Sequence, residues 1–358
     1  MRAGIAGAGI IGRLLALALQ KAGWHVTLFD HNSERSCSTV AAGLLAQLAE
    51  LEKNNRIIYD LGNDAIFSHW PRILADLGEE IYFRQNGCMV VSHSRDRAEL
   101  RRFGSVINTK LPLNESVRIL NREKIVELEP TLAAFDQGFY FAQEAHLDAQ
   151  AVFSSLQKYL QDVQWIKNAF VDCVRAGEIV CQDIVEKFDM AFDCRGLGAK
   201  AHFNQLRPLR GELVWLQAPD VLLSRPVRLL HPRYCLYVVP RPGQRYLIGA
   251  TEIESGDCGE ISVRSILELL TAAYTVHPGF SEAKILYTAT HCRPTLPDNL
   301  PKIIYADGFL AVNGLYRHGY LIAPSLVADI MRWLDQGIKS VKYTQLWEKS
   351  HDNNLLAR

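Results

Sequence analysis

Gly7, Gly9 and Gly12 stand in a G-x-G-x-x-G run, and an acid, Asp30, follows 21 positions after Gly9. Residues of these types at this spacing can hold the phosphates and a ribose of a dinucleotide. Gly7 permits a tight turn from strand to helix, Gly9 lets a pyrophosphate reach the backbone, and Gly12 lets helix and strand pack closely. A helix opening there offers free N–H groups and a partial positive charge to phosphate oxygens. Asp30 can accept hydrogen bonds from ribose hydroxyls. A second stretch, Cys37-Ser38-Thr39-Val40-Ala41-Ala42-Gly43-Leu44-Leu45, is neutral and built of small residues. Such a loop admits a flat ring at close range; alone, it would equally serve as a tight turn with buried alanines.

The elements that must carry these residues surround them. An apolar run precedes Gly7, Leu14–Leu19 is helix-like, and Trp24–Phe29 reads as a second strand ending at Asp30. Gly87–Ser92 reads as a strand and the polar Arg95–Arg102 as a helix. Asp148 is a candidate N-cap for a helix beginning near Ala149. Phe188–Cys194 reads as a buried strand running into Arg195-Gly196. From Gly211 the texture changes. Glu212–Leu216, Tyr234–Val239 and Tyr246–Gly249 are short strand-like runs, the last two separated by a turn-forming Pro240–Gln244. Pro324–Leu334 has the spacing of a final amphipathic helix.

The bulk numbers exclude several classes. The 39 basic and 39 acidic residues balance, which leaves no overall electrostatic footprint for nucleic acid or an anionic membrane. No apolar run approaches the roughly 18–20 residues a membrane span needs. The eight cysteines are scattered, without C-x-x-C pairs or zinc spacing, so reduced thiols in a cytoplasmic protein without a structural metal are expected. With 358 residues and no linker or repeat, interleaved domains are expected rather than beads on a string.

Three further stretches join the first two. They are Phe192–Ala199, Tyr237-Val238-Val239-Pro240-Arg241 through Gly249–Glu252, and Arg293–Pro301 followed by Gly314–Leu321. In order and spacing these resemble the D-amino-acid-oxidase-like family of FAD-dependent oxidoreductases, and within it the bacterial glycine oxidases of thiamine biosynthesis. The resemblance covers essentially the whole chain. It implies an α/β fold with a Rossmann-type FAD-binding domain (1–85, 143–210 and 285–358) interleaved with an antiparallel-sheet substrate domain (86–142 and 211–284).

The resemblance also implies a site. Gly7, Gly9, Ile10, Ile11 and Gly12 would cover the diphosphate, while Asp30 and His31 flank the adenosine ribose. Cys37, Ser38, Ala42, Gly43 and Leu44 would line the ribityl chain and ring. Val171 would offer backbone atoms to adenine, with Arg195-Gly196 as a second contact. Leu315, Tyr316, Arg317, His318, Gly319, Tyr320 and Leu321 would cap the flavin's pyrimidine edge. Arg293 matches the substrate-carboxylate arginine, where a guanidinium fork fixes orientation as well as charge. Arg317 matches a second arginine by the ring and Tyr237 an assisting hydroxyl, although any single arginine could instead be a surface ion pair. Glu252 stands where the glycine-oxidase branch carries an apolar residue, which puts glycine specificity in doubt. Cys292 is one position out of register with covalent flavin linkages, so non-covalent FAD is expected.

The implied activity is oxidation of glycine or a small amine by hydride transfer to flavin N5, giving imine or glyoxylate, ammonia and hydrogen peroxide. The expected partners are a small amino acid and oxygen, with neither nucleic acid nor membrane and with self-association left open. A D-amino-acid or sarcosine oxidase or dehydrogenase is the alternative on the same fold. A nicotinamide-only dehydrogenase, a tRNA-modifying module and a non-catalytic flavin scaffold fit less well.

Overall fold

The computed structural model describes residues 1–31, 36–111, 116–233 and 235–350. Two large sheets organise them. The first has seven strands in the order Trp347–Lys349, Lys302–Ala306, Phe309–Asn313, Met190–Asp193, Arg2–Ala6, His25–Asp30 and Gln164–Lys167. All its pairings are parallel except that of Lys302–Ala306 with Phe309–Asn313. Its central strands are almost continuously apolar because both faces are covered. Helices Ile10–Lys21, Arg56–Asp64 and Gly319–Gln336 belong to the core that covers them.

The second sheet runs Ile253–Glu254, Arg207–Gln217, Arg245–Gly249, Cys235–Arg241, Val227–Leu230, Cys88–Val91, Gln137–Phe141 and Val117–Asn121. It is antiparallel apart from one parallel pair, Val227–Leu230 with Cys88–Val91. The expected hairpin lies within it, with Tyr237–Arg241 opposite Arg245–Gly249. Tyr234 lies outside the described residues. Lys284–Thr295 pairs with the whole of Arg207–Gln217. The boundaries at 210 and 285 therefore fall inside strands of this sheet, which collects residues from both sides of each.

Three local expectations need correction. Prolines around Arg293 favour a rigid turn on sequence grounds, but the segment is strand, with Arg293 opposite Leu209 and Pro294 opposite Pro208. Among the described residues this strand has one sheet neighbour, so a proline without an N–H is tolerated. The last helix begins at Gly319, five residues before Pro324, which lies inside it. Pro324 cannot donate to the Tyr320 carbonyl one turn earlier; the Trp70 indole N–H does so instead, at 2.9 Å. The helix expected at Arg95–Arg102 spans Arg97–Lys110, because Phe103 and Ile107 extend its buried face. Asp148 caps its helix as expected, accepting from the Gln150 and Ala151 N–H groups at 3.0 Å.

Candidate active site

A cavity of about 960 Å³ lies between the two sheets. Every residue named as a cofactor or substrate contact lines it except Gly12. Gly12 acts one layer behind. A Cβ there would stand 1.9 Å from the Gly7 carbonyl oxygen, so the glycine is what lets helix Ile10–Lys21 close onto its strand.

At one end the glycine-rich turn is held by strand hydrogen bonds, Gly7 N–H to Phe29 O at 3.0 Å and Cys194 N–H to Ala6 O at 2.8 Å. The Ile10 N–H donates to the Ser38 hydroxyl at 2.9 Å, which ties the small-residue loop to the helix N-terminus. Asp30 ends its strand on the cavity wall, and His31 packs edge-on against Phe170. Arg195 is committed within the protein. It grips buried Asp193 through Nε (3.0 Å) and Nη2 (2.7 Å), and its Nη1 donates to the Val171 carbonyl at 2.6 Å. Of the Val171 backbone atoms expected to face adenine, the carbonyl therefore already carries one hydrogen bond. Tyr320, expected at the flavin edge, donates its hydroxyl to the Ser38 and Ala149 carbonyls, both at 3.0 Å. It braces the loop.

At the other end stand the two arginines, in unlike environments. Arg317 meets two carboxylates. Its Nε and Nη2 lie 2.8 and 2.7 Å from Glu50 Oε2, and its Nη1 donates to Glu252 Oε1 at 2.5 Å. Glu252 also accepts from the Tyr316 hydroxyl at 2.5 Å and has Lys53 Nζ at 3.8 Å. Burial alone would raise the Glu252 carboxyl, but Arg317, Tyr316 and Lys53 bring it down to about 2, so it is ionised at neutral pH. Glu50 is likewise held below its usual range, burial being outweighed by the charges of Arg317 and Arg228. Arg317 is a neutralised cation.

Arg293 is different. Its Nη1 donates to the Thr251 carbonyl at 3.1 Å, and among the described residues no carboxylate lies within ion-pair distance of it. Its guanidinium lies against the backbone of Gly211, where a Cβ would come within 2.1 Å of Nη2. Tyr237 neighbours both arginines; burial pushes its hydroxyl up to about 12, so it is a donor at neutral pH. His318 is buried, and burial lowers it to about 4 despite Glu50 nearby. It is a neutral imidazole whose Nε2 has no hydrogen-bond partner. The Cys292 thiol is 3.4 Å from the Ser255 and Asp257 carbonyls.

Glu50 and Gly211 were not anticipated. Glu50 is the single charge in Ser36–Leu51, and a lone acid in so apolar a stretch needs a cationic partner. Gly211 carries no sequence signal, because the side chain it accommodates is 82 positions away. Among the described residues no group of three or more His, Cys, Asp or Glu could hold a metal, and no helix is long and apolar enough to cross a membrane.

Behind the site, fully buried Glu144 accepts from the Ala49 N–H at 2.7 Å, and burial raises its carboxyl to about 8. The unfolded chain releases this proton near 4.5, whereas the folded protein keeps it until about 8. Between those limits the folded state binds more protons, so this group's contribution to stability falls as pH rises. Glu144→Gln should flatten that decline, as read from urea midpoints at about pH 5 and about pH 8. An unchanged slope would show that Glu144 is ionised throughout.

Comparisons with known proteins place the chain in a family. The model of the FAD dependent oxidoreductase family matches residues 2–331. A Rhizobium etli protein provisionally named thiamine biosynthesis oxidoreductase ThiO is 36% identical over 340 residues, covering 93% of this chain and 96% of that one. A glycine oxidase of Geobacillus kaustophilus is 25% identical, with 91% and 92% covered. A crystal structure of glycine oxidase from Geobacillus kaustophilus superposes with a TM-score of 0.85 at 20% identity, over 98% of this chain and 99% of that one. An iminodiacetate oxidase from a Chelativorans species superposes at 0.83 and 21% identity, over 98% and 100%. The chain belongs to the FAD dependent oxidoreductase family, and its cofactor is FAD.

Proposed function

We propose that the protein is an amino-acid oxidase acting on glycine or a similarly small amine, with the product serving the thiazole of thiamine. One observation carries this reading. Arg293 is a guanidinium with a backbone carbonyl as its described partner, and it faces the cavity that the glycine-rich loop also lines. When bound, FAD would supply the acceptor for the hydride leaving the substrate Cα and a route for its two electrons to oxygen, giving hydrogen peroxide.

The cavity suits a dinucleotide with a flat ring. In this reading its glycine-rich end, Asp30 and His31 hold the diphosphate and ribose, and the Ala42–Leu44 loop and Leu315–Leu321 flank the ring. Arg293 binds the substrate carboxylate through its free edge, and the Tyr237 hydroxyl, a donor across the neutral range, fixes the carboxylate's second oxygen. The neutral His318 Nε2, buried and without a partner, is placed to hydrogen-bond the cofactor or substrate. Cys292 is engaged with two backbone carbonyls, which supports a non-covalent flavin. Seven described cysteines are free thiols, in keeping with a cytoplasmic location. The relatives named as glycine oxidases and ThiO support the substrate and the pathway.

Oxygen uptake with glycine, sarcosine, D-alanine and D-proline, read together with peroxide and glyoxylate formation, tests the assignment. Glycine turnover with stoichiometric peroxide is expected. Preference for D-proline or D-alanine would move the protein to the D-amino-acid branch, and reduction of quinones without oxygen uptake would make it a dehydrogenase.

A further inference from the structure

We infer that Glu252 sets substrate specificity by occupying the Arg317 guanidinium, so that the site accepts small amines with one carboxylate and rejects those with two. This inference rests on the amino-acid-oxidase reading above and narrows its substrate class.

The geometry is a matter of which guanidinium edges remain. Arg317 is held between two carboxylates. Its Nε and Nη2 face Glu50, and its Nη1 is spent on Glu252. Arg293 bonds the Thr251 carbonyl, and Thr251 directly precedes Glu252 in sequence. The backbone at 251 thus steadies the free arginine while the side chain at 252 closes off the other. Glu252 is pinned by the Tyr316 hydroxyl as well as by Arg317, so it is not a loose surface acid free to swing away.

An incoming ligand with one carboxylate meets Arg293. A ligand with a second carboxylate, separated from the first by an amine and two methylenes, needs a second cation within a few ångströms. Arg317, which with Arg293 neighbours Tyr237, already carries an internal carboxylate, and that fixed negative charge repels the ligand's own. An iminodiacetate oxidase shares the fold. A shared fold does not decide the substrate, so discrimination is sought in the side chains.

The test uses FAD-loaded protein and two ligands that cannot be oxidised at nitrogen. Methoxyacetate carries one carboxylate; diglycolate is its two-carboxylate counterpart and the oxygen isostere of iminodiacetate. Affinities are read from perturbation of the flavin absorbance, independently of turnover. The wild type should bind methoxyacetate at least tenfold more tightly than diglycolate. In Glu252→Ala the ratio of the two affinities should move at least tenfold toward diglycolate. In Glu252→Gln, which keeps the shape and the acceptor atom but loses the charge, it should move in the same direction by a smaller factor. If the alanine variant fails to hold FAD, the glutamine variant decides. A wild type that binds both ligands equally, or variants that shift both affinities by the same factor, would overturn the inference and leave the amino-acid-oxidase reading standing. A wild type that holds FAD but binds neither ligand would overturn both.

Discussion

Arg293→Ala should lower kcat/KM for glycine by about 10²–10³, corresponding to the loss of about 3–4 kcal/mol from a charge-assisted, two-pronged carboxylate contact. The effect should divide between a raised KM and a lowered kcat, since the contact both binds the amino acid and aims its Cα. FAD content should not change. Arg293→Lys should recover only part of the loss, because an ammonium restores the charge but not the planar fork. The shape of the Arg293 site supports this sensitivity: the guanidinium lies on the bare backbone of Gly211, leaving no room for displacement in that direction. Steady-state kinetics with the flavin spectrum of each variant would check it. A loss smaller than about threefold would remove Arg293 from the substrate site.

Gly43→Ala should abolish FAD retention or leave the protein insoluble. Gly43 has φ +66°, and a Cβ there would stand 2.0 Å from the Leu147 carbonyl oxygen. That backbone cannot retreat freely, because the Leu147 N–H donates to Gly43 O at 2.9 Å and Arg241 Nη2 holds the Leu147 carbonyl at 2.6 Å. Left-handed strain of about 1–2 kcal/mol therefore adds to a collision that must open the small-residue loop on the cavity wall. Gly78→Ala is the matched control, with the same φ of +66° at a helix end but no heavy atom within 4 Å of the added Cβ. It should keep its flavin and lose only about 1 kcal/mol. The ratio of flavin to protein absorbance after purification, with the melting temperature, separates the two. A Gly43→Ala protein with full flavin content would refute the tight-loop role.

The contrast between these positions shows where sequence was sufficient. The Gly7–Asp30 unit was legible because all its determinants are local: turn glycines, an apolar strand and an acid at the next strand's end. The second sheet's hairpin was legible from its turn residues. The last helix was misjudged at its start because the rescue of the Tyr320 carbonyl comes from Trp70, 250 positions distant. Arg293 and Arg317 were found as residue types at matching positions, but their inequality was not, since it depends on Glu50 reaching Arg317 across 267 positions. Charge state is a property of the assembled pocket rather than of a motif.

Anaerobic mixing of the FAD-loaded protein with glycine tests the central claim most directly. The yellow flavin absorbance should bleach in a single phase, return with admitted oxygen, and yield one peroxide per flavin; Arg293→Ala should hold the same flavin yet bleach at least a hundredfold more slowly at equal glycine. Flavin that stays oxidised under saturating glycine, sarcosine and D-amino acids would contradict it.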